Sequence, residues 1–97
     1  MRQGANLVTS RTLQKSPYHT KVDATAVYQL VSFGFGATQV VFVNDSSHTL
    51  YFSFDGATSH GEVLAGEPFS YTAAGQTGVY IRVDDATGTN NIRIWAY

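Results

Sequence analysis

Few side chains in this 97-residue chain could perform acid–base, nucleophilic or metal chemistry. The histidines are His19, His48 and His60, and there is no cysteine. Asp55, His60 and Glu62 fall close enough in the sequence for a bent loop to bring a ring nitrogen and two carboxylates together. Their spacing matches none of the recurring metal-ligand patterns, and Asp before Gly is common in turns. We therefore expect no metal ion and no cofactor.

No arrangement of residues in the sequence points to catalysis. The chain has no Gly-x-Ser-x-Gly elbow before a helix and no glycine loop that opens a helix for phosphate. Asp84 and Asp85 are adjacent carboxylates, but neighbouring residues in a strand point to opposite faces of a sheet. Because no convergent set of polar groups is present, we expect that the protein is not an enzyme and takes no small-molecule substrate.

Charge is distributed unevenly along the chain. Residues 1–24 have four basic side chains and one acidic side chain, a net charge of +3. Residues 25–97 have two basic and six acidic side chains, a net charge of −4. A basic end on an acidic body indicates a binding partner, although a solvated tail would show the same asymmetry. The acidic body would repel phosphate, which weighs against nucleic acid as that partner.

Short strands must position these side chains. In LYFSFDG, residues 50–56, large apolar residues alternate with Tyr51 and Ser53, and Asp55-Gly56 then ends the pattern. Alternation with a period of two is typical of a half-buried strand, and glycine supplies the positive φ that a tight turn needs. The same alternation recurs in residues 69–73, 79–84 and 91–97.

Turn-forming residues separate the predicted strands. Clusters rich in Gly, Asn, Asp and Ser follow them, including a turn over residues 74–78 and a glycine-flanked turn or bulge over residues 34–36. About six or seven short strands, separated by turns and spaced roughly 8–12 residues apart, are typical of a small sandwich or barrel. We predict an all-β fold, a small antiparallel β-sandwich of jelly-roll type over residues 25–97. An extended N-terminal arm, with a short strand near its end, is predicted over residues 1–24.

The alternation assigns side chains to the core and to the surface. The predicted core consists of Val31, Val41, Val43, Leu50, Phe52, Phe54, Val79, Ile81, Val83, Ile92 and Ile94. Five aromatic residues fall on the opposite faces or at strand edges, namely Tyr51, Tyr71, Tyr80, Trp95 and Tyr97. Tyr and Trp outside the core are enriched at protein interfaces. The predicted partner-binding residues are Arg2, Arg11, Lys15, Lys21, Tyr51, Tyr80, Trp95 and Tyr97.

The hydropathy of the chain bears on its location. No run approaches the ~18 apolar residues of a membrane span. Polar and apolar residues are mixed throughout the N-terminal segment MRQGANLVTSRTLQK, unlike in the continuous apolar segment of a signal peptide. We therefore expect a protein that is made in the cytoplasm and does not enter a membrane.

Residues 40–97 have a distinctive layout: an apolar strand ending in Asn-Asp-Ser, a strand ending in SFDG, a LAGEP turn, and a final pair VYIRV and IRIWAY. In this layout the segment resembles a group of small structural proteins in the virions of tailed bacteriophages. The resemblance implies a capsid decoration or cement protein, or else a head–tail adaptor, fibre-base or tail component. The implied partners are other copies of the same chain and a major capsid or other virion protein. The implied location is the virion, assembled in the host cytoplasm.

A different class of function stays open. Aromatic side chains near loops suit glycan or peptide binding, and β-sandwich folds present such loops. The residues that would serve a small binding module of this kind are Tyr51, Trp95, Tyr97 and the loop over residues 55–61. Binding by a monomer would favour this alternative over a self-associating structural protein.

Overall fold

A computed structural model of the chain describes residues 18–97, which form six strands and no helix. The strands are β1 (Tyr18–Asp23), β2 (Gln29–Asn44), β3 (Leu50–Ser53), β4 (Gly61–Val63), β5 (Pro68–Val83) and β6 (Asn91–Ala96). Neighbouring strands are antiparallel, and the order across the sheet is β1-β6-β2-β5-β3-β4. The prediction of an antiparallel all-β fold is confirmed.

The strand pairs are nested along the chain. β1 pairs with β6, β2 with β5, and β3 with β4. Additional pairing of β2 with β6 and of β3 with β5 joins all six strands into one hydrogen-bonded sheet. Nested antiparallel pairs resemble the pairing of a jelly roll, with three pairs here. Within the described chain, one continuous sheet therefore takes the place of two separate ones.

The two long strands, β2 and β5, are shared by two halves of this sheet. The first, the β6 half, consists of β1, β6 and the segments of β2 and β5 that pair over residues 39–43 and 68–72. The second, the β3 half, consists of β3, β4 and the segments of β2 and β5 that pair over residues 29–32 and 78–81. Each long strand therefore belongs to both halves.

Irregular pairing bends both long strands. β2 advances five positions from Ser32 to Ala37, while its partner residues on β5 change by only two, from Gly78 to Gln76. Extra residues of this kind kink a strand and increase its twist. The sequence predicted a turn at residues 74–78, and this was wrong; at residues 34–36 it left a turn or a bulge open, and the pairing there is irregular, as at a bulge. Both segments are bends within continuous strands.

The bends place the two halves face to face. Phe52 is paired with Ile81 on β5, which lies 12 positions (81 − 69) beyond Phe69 on the same strand. In a straight strand, 12 residues would span about 40 Å. The Phe52 and Phe69 rings nevertheless stack with centroids 5.4 Å apart. β5 therefore folds back on itself, and the core lies between the two halves.

The core confirms most of the predicted inward positions. The buried apolar residues are Ala24, Val31, Phe33, Ala37, Val40, Phe42, Leu50, Phe52, Val63, Ala73, Val79, Ile81, Val83, Ile92, Ile94 and Ala96. Three predicted core residues are not buried: Val41 and Val43 are half-buried, and Phe54 is 50% exposed. On β2 the inward residues are Val40 and Phe42 instead.

A buried asparagine closes the corner where β2 ends. The Asn44 side-chain N–H groups donate to the carbonyls of His48 at 2.8 Å and Val63 at 2.9 Å. Its side-chain oxygen accepts from the Ser46 backbone N–H at 3.0 Å and from the Ser46 hydroxyl at 2.6 Å. Both amide donors and the amide acceptor of a fully buried side chain are thus satisfied. This network ties β2 to the following turn and to β4.

Part of the predicted N-terminal arm lies within the sheet. Residues 18–23 form β1, an edge strand paired with β6 from Tyr18 opposite Ala96 to Asp23 opposite Asn91. Residues 1–17, which include Arg2, Arg11 and Lys15, lie outside the described residues. No helix long and apolar enough to cross a membrane occurs between residues 18 and 97.

Candidate functional site: interaction surfaces

The predicted partner-binding residues within the described chain lie on two opposite faces. Lys21, Trp95 and Tyr97 belong to the outer face of the β6 half, because they occupy positions that alternate with inward residues of β1 and β6. Tyr51 and Tyr80 belong to the outer face of the β3 half. The structure therefore separates the predicted set into two surfaces.

Trp95 is the centre of the first surface. It pairs with His19 on β1 and with Val41 on β2, so these three side chains form a row across three strands. The His19 ring stacks on Trp95 at a centroid distance of 4.7 Å. Arg93 lies over the same indole at 5.6 Å, and Lys21 is the cross-strand partner of Arg93. We call these five residues the Trp95 surface.

An ion pair holds Arg93 beside the indole. Its guanidinium donates to both carboxylate oxygens of Asp45, with the second contact at 3.0 Å. The hydrogen bond with Arg93 lowers the pKa of the Asp45 carboxyl below its ordinary value, and the same bond raises the pKa of Arg93. A two-point contact of this geometry fixes the guanidinium plane. The cation on the Trp95 surface therefore has a defined position.

On the outer face of the β3 half, the aromatic rings already contact other residues of the same chain. The Arg82 guanidinium lies 4.4 Å from the centre of the Tyr51 ring and 5.3 Å from that of Tyr28. Tyr80 is covered by the loop that follows β3, and a Cβ added to Gly56 would lie 3.0 Å from its ring. Gly56 also has a φ of 81°, which favours glycine. This face offers less free aromatic surface than its sequence suggests.

The loop after β3 uses its acidic side chain for its own structure. Backbone N–H groups of Thr58 and Ala57 and the Ser53 hydroxyl donate to one oxygen of Asp55, each at 2.9 Å. These bonds, with that of Thr58 first, lower the pKa of Asp55 to about 2. His60 is engaged too, since its Nδ1 accepts from the Phe54 N–H at 3.0 Å. Among residues 18–97, no group of three possible metal ligands converges.

A groove runs along β5 where β3 ends. β3 covers this side of β5 only from Tyr80 to Val83. Beyond that point Phe54 and residues 71–78 line an open groove with a volume of about 540 Å³. We call it the β5 groove. The alternation of residues along the chain does not predict this groove, and its one signal in the sequence is an apolar residue, Phe54, directly before the Asp-Gly turn.

Tyr71 faces this groove from the core side. Its ring packs against those of Phe42, Phe52 and Phe54, with centroids 5.7–6.0 Å apart. Its hydroxyl donates to the side-chain oxygen of Gln76 at 2.7 Å. The sequence assigned Tyr71 to the outer face, which was wrong, because the cross-strand partner of Tyr71 is the buried Val40.

The environment of Tyr71 gives a testable pH dependence. Burial raises the pKa of its phenol from 10 to about 12, although the hydrogen bond with Gln76 opposes the shift. Above pH 10 the unfolded state loses this proton while the folded state keeps it, so stability falls between pH 10 and 12. Below pH 10 both states hold the proton and the group has no effect.

The measurement is an absorbance titration of phenolate in the wild-type protein and in a Tyr71→Phe variant. We expect the difference between the two curves to have its midpoint near pH 12. The control is Tyr51→Phe, which also removes one phenol and shows how large a change in absorbance the loss of one tyrosine produces. A difference midpoint at pH 10 would contradict the packing of Tyr71 described above.

Comparisons of this chain with family models, with curated protein sequences and with solved structures find no match.

Proposed function

We propose that this protein is a structural component of an assembled particle, which binds other copies of itself and a neighbouring shell protein. The observation that carries the proposal is the Trp95 surface. The specific form that the sequence resemblance favours is a capsid decoration or cement protein of a tailed bacteriophage. The particle would then be its location in the infected cell.

The composition of the Trp95 surface supports a protein partner. Tryptophan and arginine are the residue types most often responsible for binding energy at interfaces, usually near the centre of the contact. Here they are adjacent, with Val41 extending the apolar area onto β2. The surface is the outer face of three neighbouring strands, whereas small molecules generally require a concave site.

The side chains of this surface are already ordered before binding. His19 stacks on Trp95, and Asp45 holds Arg93. Ordering a flexible side chain at an interface costs about 0.5–1.5 kcal/mol, so contacts made beforehand favour association. A permanent assembly benefits from this arrangement more than a transient encounter does.

The test is self-association of the full chain, measured by sedimentation equilibrium. We expect a discrete oligomer, and we expect Trp95→Ala to weaken association about 30-fold or more, as for other interface hot spots. Tyr51→Ala is the matched control, because it removes an outward aromatic from the opposite face and should leave association unchanged. Equal effects of the two substitutions would contradict a role for the Trp95 surface.

Other outcomes separate the alternatives. A head–tail adaptor, fibre-base or tail component would self-associate in the same way but bind a different virion protein. A chain that stays monomeric at millimolar concentration and binds a glycan array, with binding lost in Trp95→Ala, would instead be a small binding module. That result would overturn the structural proposal.

A further inference from the structure

The segment of β5 beside the groove has backbone groups that point away from β2, its strand partner among residues 18–97. Asn44 N–H donates to the carbonyl of Glu67 at 3.0 Å, which fixes the alternation of hydrogen bonds between β2 and β5. In an antiparallel pair, successive residues direct these groups to opposite sides. Phe69 and Tyr71 therefore bond to β2, whereas Ser70 and Thr72 direct their N–H and C=O groups to the groove side. Residues 69–76 have no strand partner there among the described residues.

This edge lacks the usual protection against strand addition. Natural edges are protected by charged residues, by bulges or by being very short. Residues 69–75, FSYTAAG, include no charged side chain, and residues 69–72 pair with β2 in regular register before the irregular pairing between Thr72 and Gln76. By contrast, edge strand β1 has Lys21 and Asp23, and edge strand β4 has three residues. The segment of β5 is thus open over a length that suits pairing.

The groove would also receive side chains of an added strand. Such a strand would continue the line of β3 along β5, since β3 pairs with β5 on this side. Its inward side chains would meet Phe54, which is 50% exposed, and Phe69, which is 38% exposed. Backbone hydrogen bonds supply affinity in this mode of binding, and pockets for alternate side chains supply specificity.

The chain itself contains a segment that fits. Residues 7–13, LVTSRTL, have β-branched and apolar residues and no Gly or Pro, and their seven positions are enough to pair along the regular part of this edge, residues 69–72. Residues 1–17 include three basic side chains and no acidic one, whereas residues 18–97 have three basic and seven acidic side chains, a net charge of −4. Asp55 directly follows Phe54, which lines the groove, and Glu67 directly precedes β5, so the acidic side chains of this region should attract the basic segment.

The arrangement of strands favours a second copy as the donor. β1, which continues residues 1–17, lies at the opposite edge of the β6 half from the open segment of β5. Three strand spacings, about 14 Å, separate them. Leu13 and Tyr18 are five positions apart and span at most about 17 Å. To reach the β5 groove of its own chain, the connection between them would have to be fully extended across the sheet, and residues 7–13 would then have to turn along β5. A second copy that lies beside the β1 edge of the first can place its own β5 groove next to residues 7–13 of the first without such a crossing.

We propose that the β5 groove binds residues 7–13 of a neighbouring copy as an added strand. The contact is between different surfaces of the two copies, so repetition closes a ring when the rotation permits. This inference rests on the proposed self-association and names the segment and the edge through which it occurs.

The test uses the full chain with substitutions at an outward position of β5. Thr72→Pro removes an N–H that points to the groove and leaves the bonds to β2 intact, whereas Thr72→Val keeps the N–H and the β-branched shape. We expect Thr72→Pro to weaken association at least 10-fold in sedimentation equilibrium and Thr72→Val to leave it unchanged. On the donor side, Ser10→Pro should match Thr72→Pro, with Ser10→Ala as its control. If Thr72→Pro fails to fold, Ser10→Pro and Ser10→Ala still test the proposal from the donor side.

Hydrogen exchange separates the possible sources of the added strand. In the wild-type oligomer, the amides of Ser70 and Thr72 should exchange at least 10-fold more slowly than in the Ser10→Pro variant. The same protection in a monomer would place the segment on its own chain and overturn exchange between copies. Association unaffected by either proline, together with its loss in Trp95→Ala, would overturn the strand addition while leaving the proposed function standing.

Discussion

Replacing Phe52 with alanine is expected to lower the free energy of unfolding by about 3–5 kcal/mol. Phe52 is 5% exposed, and its ring contacts those of Phe42, Phe54, Phe69 and Tyr71. Truncation removes the side chain that joins the two halves of the sheet and leaves a cavity between them. Since domains are stable by only about 5–15 kcal/mol, a large part of the stability would be lost.

Guanidinium unfolding followed by circular dichroism measures this loss. Phe54→Ala is the matched control, because Phe54 belongs to the same aromatic cluster but is half-exposed. Its substitution should cost about 1 kcal/mol. A folded Phe52→Ala variant with wild-type stability would contradict the position of Phe52 between the halves.

Replacing Asn44 with alanine is expected to destabilise the protein by about 3 kcal/mol. The substitution removes the partner of the Val63 and His48 carbonyls and of the Ser46 N–H, and the position is fully buried. Each buried donor or acceptor that loses its hydrogen-bond partner lowers the free energy of unfolding by about 1–3 kcal/mol, and by less where water can replace the lost partner. The same unfolding measurement applies.

Asn90→Ala is the comparison for Asn44→Ala. Asn90 is also buried, but its side chain makes one short hydrogen bond, to the Ala86 carbonyl at 2.7 Å, and its side-chain oxygen has no partner. We expect a loss of about 1 kcal/mol there. If the two variants lose equal stability, the corner network at Asn44 contributes no more than an ordinary hydrogen bond.

Period-two alternation predicted the inward faces of β3, β6 and the second half of β5, because each has its Leu, Ile, Val and Phe residues on one face only. β2 has apolar residues on both faces, so alternation could not decide between Val40 and Val41. Its phase follows from the register shift between Ala37 and Gln39, where the buried positions change from odd numbers (Val31, Phe33, Ala37) to even ones (Val40, Phe42). Glycines with positive φ occur both in turns and in bends; for this reason Gly75 was taken to end a strand, and Gly34 fitted either a turn or a bulge.

The surfaces were predictable only in part. Composition indicated that Trp95 faces outward, and it does so on β6. Its stacking on His19 depends on pairing between residues 76 positions apart (95 − 19), which local patterns do not contain. The β5 groove was missed for a similar reason. It exists because β3 ends at Ser53 while β5 continues, and a single sequence does not show which strands are neighbours.

The nested strand pairing has a consequence for biosynthesis. Tyr18 pairs with Ala96, 78 positions later (96 − 18), so a ribosome adding about 5–20 residues per second delivers β1 roughly 4–15 s before β6. During that time β1 and one side of β2 lack their partner strand, and Phe42 lacks its neighbour Ile94. Pairings so distant along the chain also form slowly. The nascent chain therefore exposes the apolar residues of β1 and β2 that β6 covers, and the sheet closes only after translation of that strand.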